Sequence, residues 1–119
     1  MLLALRKNTK LAGLAAHRRD LDRTYLKLLS VENLLLPFYQ EAGLHGITYL
    51  PENLHNGWDS PLSQIRGTFC GHWLSAAAMI CEETNDLELK VRADHIVEEI
   101  ALCQSENGGE WCFSIPEKY

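Results

Sequence analysis

An all-α fold is the class this sequence predicts, and three observations predict it. Residues of about 71–83 and 87–104 repeat their apolar side chains at helical spacing. A polar break, Thr84-Asn85-Asp86, separates these two runs. A third, shorter run at 21–29 has the same period. Two helices joined by a short turn make an antiparallel hairpin, the unit of helical bundles, solenoids and toroids.

In chain order, residues 2–19 form a weakly periodic helix with no acidic residue. The next helix carries Leu21, Tyr25, Leu28 and Leu29 on one face, with Asp20 as its expected N-cap. Ser30 is placed to cap a short helix through Leu34, Leu35 and Phe38, which Pro37 is expected to kink or break. From Gly43 to Ser63 a dense set of Gly, Pro, Asn and Asp residues marks a long loop. Loops longer than about 12–15 residues are functional or disordered more often than incidental. This one carries Tyr49, His55 and Trp58, which favours order.

The helix over about Gly71–Glu83 has two apolar stripes, Trp73/Ala76/Ala77/Ile80 and Leu74/Ala78/Cys81, so it is expected to lie between other helices. The helix over about Leu87–Gln104 has one face of Leu89, Ala93, Ile96, Val97, Ile100 and Cys103. Asn107-Gly108-Gly109 reads as a turn, and Glu110–Ile115 as a short extended segment. The chain then stops without a closing element, which leads to the expectation of a fragment.

The chain has 119 residues, enough for one small domain or a piece of a larger one. It is 46% hydrophobic and 23% charged, with net charge -5, which argues against nucleic acid as the default partner. Positive charge concentrates at the start, in Arg6, Lys7, Lys10, Arg18, Arg19, Arg23 and Lys27. Such a basic helix suits a membrane surface or nucleic acid, but a solvated helix face is the commoner case and the favoured one. Leu2–Leu5 are apolar, yet Arg6 and Lys7 follow rather than precede them, which is the wrong order for a secretory leader. The four cysteines form no CxxC pair and are read as reduced. A cytoplasmic chain without membrane contact is the resulting expectation.

Two segments are recognisable. One is Asn56-Gly57-Trp58-Asp59-Ser60, followed by Arg66-Gly67-Thr68-Phe69-Cys70-Gly71-His72-Trp73-Leu74-Ser75-Ala76-Ala77-Ala78-Met79. The other is the helix ending Glu99-Ile100-Ala101-Leu102-Cys103-Gln104, followed by Gly109-Glu110-Trp111. Together they resemble the start of the catalytic domain of the β-L-arabinofuranosidases of glycoside hydrolase family 127, over about Leu21 to Tyr119.

The resemblance implies an (α/α)6 toroid of six helical hairpins, with residues 1–20 as an N-terminal helical extension and 21–119 as the incomplete first portion of the toroid. It implies retaining hydrolysis of plant-type β-L-arabinofuranosides by a zinc-bound cysteine thiolate and a glutamate acid/base. None of those catalytic residues is matched here, so the chain alone is expected to be inactive and to hold no cofactor, zinc being implied only for a full-length enzyme. Thr68 stands where the family usually has histidine, and threonine can hydrogen-bond but cannot titrate.

Four residues are candidates for substrate binding. His72, beside Gly71 at a helix start, suits a hydrogen bond to a sugar hydroxyl or a carboxylate, against a capping or packing role. Arg66 suits a carboxylate clamp, against the slightly favoured role of pinning the long loop by a salt bridge. Trp58 offers a face for a sugar ring, against a loop anchor in the core. Trp111 follows the Gly-Gly turn either at the pocket or as a turn anchor. Trp73 reads as core. Asp59 and Glu110 are the loop acids nearest these motifs, and nothing in the sequence brings them together.

Two other functions compete with a carbohydrate-directed hydrolase. One is a non-catalytic helical interaction module, forming a homo-oligomer or covered by a missing C-terminal part. The other, a nucleic-acid binder, rests on residues 6–27 alone.

Overall fold

The computed structural model describes residues 10–46 and 48–118. Its described residues form four α-helices and no strand: α1 Gly13–Leu28, α2 Val31–Glu41, α3 Thr68–Thr84 and α4 Leu87–Glu106. A single 3-10 turn, Gly57–Asp59, interrupts the long connection between α2 and α3. The all-helical class is therefore as expected. The segment Glu110–Ile115 is not a strand but a series of bends.

Helix α1 is continuous where two helices were expected, and Asp20 is not an N-cap. It lies mid-helix, its carboxylate accepting from Arg19 Nε at 3.0 Å and its carbonyl from Thr24 Oγ1 at 3.0 Å. Nothing between Leu14 and Leu28 breaks a helix, since neither Gly nor Pro occurs there. The expected helix before residue 10 lies outside the described residues. Ser30 does cap α2, accepting from the Asn33 N–H at 3.3 Å. The helix passes through Pro37 to Glu41. Proline leaves the Asn33 carbonyl without its helical donor, but Leu34, Leu35, Leu36 and Phe38 are all buried, and that packing carries the helix past the lost bond.

Helix α3 starts three residues before the expected Gly71, directly after Gly67. Gly67 holds a left-handed conformation, φ 82°, and a Cβ there would sit 2.2 Å from Ser114 Oγ. The Ser114 hydroxyl, fully buried, donates to the Arg66 carbonyl at 2.7 Å. The segment after α4 is thereby strapped to the entrance of α3. Asn85, also left-handed at φ 54°, closes α3 by donating its N–H to the Cys81 carbonyl at 2.8 Å. Asp86 then opens α4 by accepting the Leu89 N–H at 3.0 Å. The 71–104 hairpin with its turn at Asn85 is thus present.

The buried side of α3 is Cys70, Trp73, Ala77 and Ile80, and α3 packs against α1, α2 and α4. Trp73 is 1% exposed, as expected for core, and its indole Nε1 donates to the Leu26 carbonyl at the end of α1, 3.1 Å away. On α4, Leu89, Ile96 and Cys103 are buried, but Val97 is 56% exposed and lies off the expected face. Leu34, Leu35 and Phe38 of α2 complete the core.

Arg18 of α1 is exposed as expected, but Arg19, Arg23 and Lys27 are not a free solvated face. Arg19 pairs with Glu83 at 2.5 Å, Arg23 with Asp86, and Lys27 with Asp86 at 2.9 Å and Glu88 at 2.8 Å. These three cations stand four residues apart, on one side of the helix. That side is held against the α3–α4 corner. Arg92 adds a bond to the Lys27 carbonyl at 2.8 Å.

Asp86 is buried, and Lys27, the Leu89 N–H and Arg23 together hold its carboxyl well below the usual carboxylate range. A depressed folded-state pKa gives stability that is complete above the ordinary value and lost as the pH falls through the folded one. Asp86→Ala is expected to cost about 2–4 kcal/mol, from the lost cap and the stranded cations. Asp86→Asn, which can still cap, is expected to cost less. The gap between wild type and Asp86→Asn in urea denaturation should be constant above about pH 5 and shrink towards acid. A gap that is flat down to about pH 2 would show the carboxylate to be dispensable.

Gly67→Ala is expected to cost about 2–4 kcal/mol, because it meets both a left-handed backbone and the Ser114 side chain. Gly43→Ala, at φ 73° with nothing within 4 Å, isolates the backbone cost, about 1 kcal/mol. Equal losses at the two positions would remove the Ser114 strap from the account.

Candidate functional site

The motif residues are spread over the long loop, the face of α3 and the segment after α4. Helix α2 holds the loop in place. The Asn33 side-chain amide, buried, donates to the Glu52 and Asn53 carbonyls at 3.2 and 3.1 Å. The Tyr49 hydroxyl donates to Glu32. The loop then folds through the 3-10 turn onto α3.

Trp58, in that turn, is 78% exposed, which excludes the role of core anchor and leaves its ring face to solvent. Its neighbour Asp59 is the turn's buried residue, with Oδ2 2.8 Å from His55 Nδ1 and Oδ1 buried without a hydrogen-bond partner. The turn thus points its carboxylate inwards and its indole outwards.

Among the described residues Arg66 makes no ion pair. Its guanidinium donates to the Ser63 carbonyl at 3.2 Å, so it secures the end of the loop through backbone rather than through the expected salt bridge. Thr68 likewise turns its hydroxyl back to the Ile65 carbonyl at 2.8 Å. His72 is the fifth residue of α3, not its first, because the helix begins at Thr68. Its backbone N–H is therefore past the unpaired donors of the helix start. The side chain is exposed, on the side of α3 opposite Cys70, Trp73 and Ala77. It is neither a capping nor a packing residue.

Trp111 is half-buried and donates from its indole to the Ile115 carbonyl at 2.7 Å, with Phe113 edge-on at 6.5 Å. It anchors its own bend. The Ser114–Arg66 bond brings this bend to the base of α3. Beyond that link, no hydrogen bond, ion pair or ring contact joins any two of Trp58, Arg66, His72 and Trp111 among the described residues. Asp59 and Glu110 are not joined either.

The pairing that sequence spacing left unread is His55–Asp59. An i, i+4 His/Asp pair in a loop carries no helical meaning, and only the 3-10 turn brings the two side chains together. Asp59 also bears on Cys70. Burial first, and then the Asp59 charge, push the Cys70 thiol up to about 12. Burial, with Glu99 second, raises Cys103 to about 11. Cys81 is raised by burial and by Asp86. Cys70 and Cys103 are buried in helix interiors, whereas Cys81 is half-buried and donates its thiol to the Asp86 carbonyl at 3.4 Å. Among the described residues no group of three or more His, Cys, Asp or Glu side chains converges as metal ligands.

His55 also lines an open groove between the α1–α2 junction and the loop, with Glu32, Tyr49 and Asn53. A second open groove lies between α2 and α4, lined by Tyr39, His45, His95 and Glu99. Tyr39 donates to Glu99 at 2.7 Å, and His45 lies between two rings, edge-on to Tyr39 at 4.8 Å and tilted against Tyr49 at 4.6 Å. Burial, and then the bond to Glu99, push the Tyr39 hydroxyl well above the usual phenol range. Neither groove is lined by any of the four candidate residues. No described helix is long and apolar enough to cross a membrane.

No curated protein and no solved structure matches the chain. A family model does. The β-L-arabinofuranosidase catalytic-domain model of glycoside hydrolase family 127 matches residues 9–109, which takes in α1, the loop, the Arg66–His72 motif, the hairpin and its closing Gly-Gly turn. The chain belongs to the β-L-arabinofuranosidase family, within its family 127 catalytic domain.

Proposed function

We infer that this chain is the sugar-contacting N-terminal portion of a glycoside hydrolase acting on plant-type glycans, with β-L-arabinofuranosides as substrate class. The family match over residues 9–109 carries this conclusion. The placement of two side chains supports it. His72 stands out from a rigid helix with its ring free to reach a hydroxyl, and Trp58 offers an unobstructed indole face. Arg66 and Trp111 are the flanking contacts, on the two segments tied together by Ser114. In a closed (α/α)6 toroid these surfaces would line the central pocket.

The chemistry itself belongs to other residues. Retaining hydrolysis needs a nucleophile and an acid/base on the two sides of the bond to be broken. Asp59 is committed to His55, burial raises the Cys70 and Cys103 thiols, and the half-buried Cys81 thiol donates to the Asp86 carbonyl. The zinc that the resemblance implies has no fitting donor set among the described residues. Free cysteines at all four positions suit a reducing, cytoplasmic setting.

The purified 119-residue chain is expected to give no turnover of β-L-arabinofuranosides with or without added zinc. Zinc-dependent release of arabinose by the chain would show that it carries its own nucleophile. In a protein that includes the complete catalytic domain, His72→Ala should lower kcat/KM by about 10–1000-fold, or ~1.4–4 kcal/mol of transition-state binding. The melting temperature should barely move, because the exposed ring contributes no core burial. Loss of stability with full activity in the folded fraction would return His72 to a structural role.

Thiol labelling checks the cysteine assignment in the chain itself. At pH 8 an alkylating reagent should modify exposed Cys112 first and leave Cys70 and Cys103 untouched until the chain unfolds. Rapid labelling of Cys70 in the folded state would mark it as an activated thiolate.

A further inference from the structure

Helix α1 is mounted with its charged side inwards. Arg19, Arg23 and Lys27 are held on the body by Glu83, Asp86 and Glu88, and Leu26 is its one buried residue. The opposite side carries Leu14, Leu21, Tyr25 and Leu28, which are 72%, 49%, 54% and 78% exposed. Scattered surface leucines are ordinary, but a continuous stripe along four turns is not.

We propose that this stripe pairs with the same stripe of a second copy, as an antiparallel α1–α1′ contact with its twofold axis at Leu21. The spacing is self-complementary. Leu14, Leu21 and Leu28 are seven residues apart, so about a twofold at Leu21 each Leu14 faces a Leu28 and Leu21 faces itself. Tyr25 fills the flank. An antiparallel twofold also sets each flank of the stripe against the same flank of the other copy. Arg18 and Asp22 border the stripe on one such flank, at successive turns.

In the pair, Arg18 of each copy is offset from Asp22 of the other by only about two residues' rise, ~3 Å, along the helix axis, so the arginine side chain has only the gap between the two helices to span. Neither side chain has an ion-pair or hydrogen-bond partner within the described chain, unlike Arg19, Arg23 and Lys27 beside them. Two symmetric ion pairs would thus flank an apolar seam. The stripe offers on the order of 400 Å² per copy, below the ~800 Å² of a standard interface, so the pairing is weak and reversible.

Sedimentation velocity on the whole chain, from about 1 to 300 µM, reads the proposal directly. The wild-type chain should shift from monomer to dimer across that range. Leu21→Glu should stay monomeric throughout. Arg18→Asp sets Asp against Asp22 and should weaken dimerisation about tenfold. The double variant Arg18→Asp/Asp22→Arg, with both charges exchanged, should restore it. All three positions are exposed, so circular dichroism should report unchanged helicity in every variant. A wild type that remains monomeric to the highest concentration overturns the proposal. So does a dimer indifferent to Leu21→Glu, or a charge exchange as weak as the single reversal, since these outcomes assign the stripe to a different partner. The result is independent of glycosidase activity, which none of these measurements reads.

Discussion

Asp86 is the residue on which three helices converge. Its carboxylate caps α4, and the same group receives Arg23 and Lys27 from α1, directly after the turn that ends α3. A buried carboxylate is costly unless its oxygens are fully used, and here a backbone N–H and two cations use them. The consequence reaches along the whole of α1. Once Arg23 and Lys27 are fixed, Arg19 falls onto Glu83 one turn earlier, and the rotation of the helix is settled. Electrostatics, rather than apolar burial, docks this helix.

That choice explains why the apolar row of α1 faces outwards. In a surface helix of an isolated globule, the apolar stripe turns to the core and the charges to water. Here the acids Glu83, Asp86 and Glu88 at the α3–α4 corner compete for the other side of the helix and prevail. Trp73 reinforces the arrangement by binding the carbonyl of Leu26, which fixes the end of α1 in height as well as rotation. The outward row is a cost in solvent, and it is the feature that a second copy, or further protein, would relieve.

The second organising contact is smaller. Gly67 and Ser114 approach so closely that no side chain fits at 67, and the approach ties the bend after α4 to the start of α3. Arg66, Thr68, Trp111 and the base of the His72 helix depend on that strap for their positions. The long loop is fixed independently, by Asn33 beneath it and by the His55–Asp59 pair within it. Trp58 is therefore exposed on an anchored turn rather than on a free one. An exposed aromatic ring on a rigid support suits recognition of a flat, weakly polar sugar face, because little side-chain freedom is lost on binding.

Much of the fold was legible in the residues. The hairpin, its turn at Asn85, the Ser30 cap, the core role of Trp73 and the long ordered loop follow from period, capping chemistry and glycine placement, all of which act over a few residues. The family membership was legible too, since its motifs are contiguous. The errors were of a different kind. Asp20 has the chemistry of a cap but stands where nothing interrupts the helix, and Pro37 has the chemistry of a breaker but sits in packing strong enough to carry it. Arg66 reads as half of a salt bridge, yet its guanidinium donates to the Ser63 carbonyl and pairs with no acid among the described residues. The rotation of α1, the inward turn of Asp59 onto His55 and the closeness of Gly67 to Ser114 join residues between four and 64 positions apart. Local pattern determined which segments are helices and where they stop, because those choices are made by neighbours in the chain. Which face each helix buries, and which side chains remain free to bind, was decided only when charges and cavities distant in sequence met.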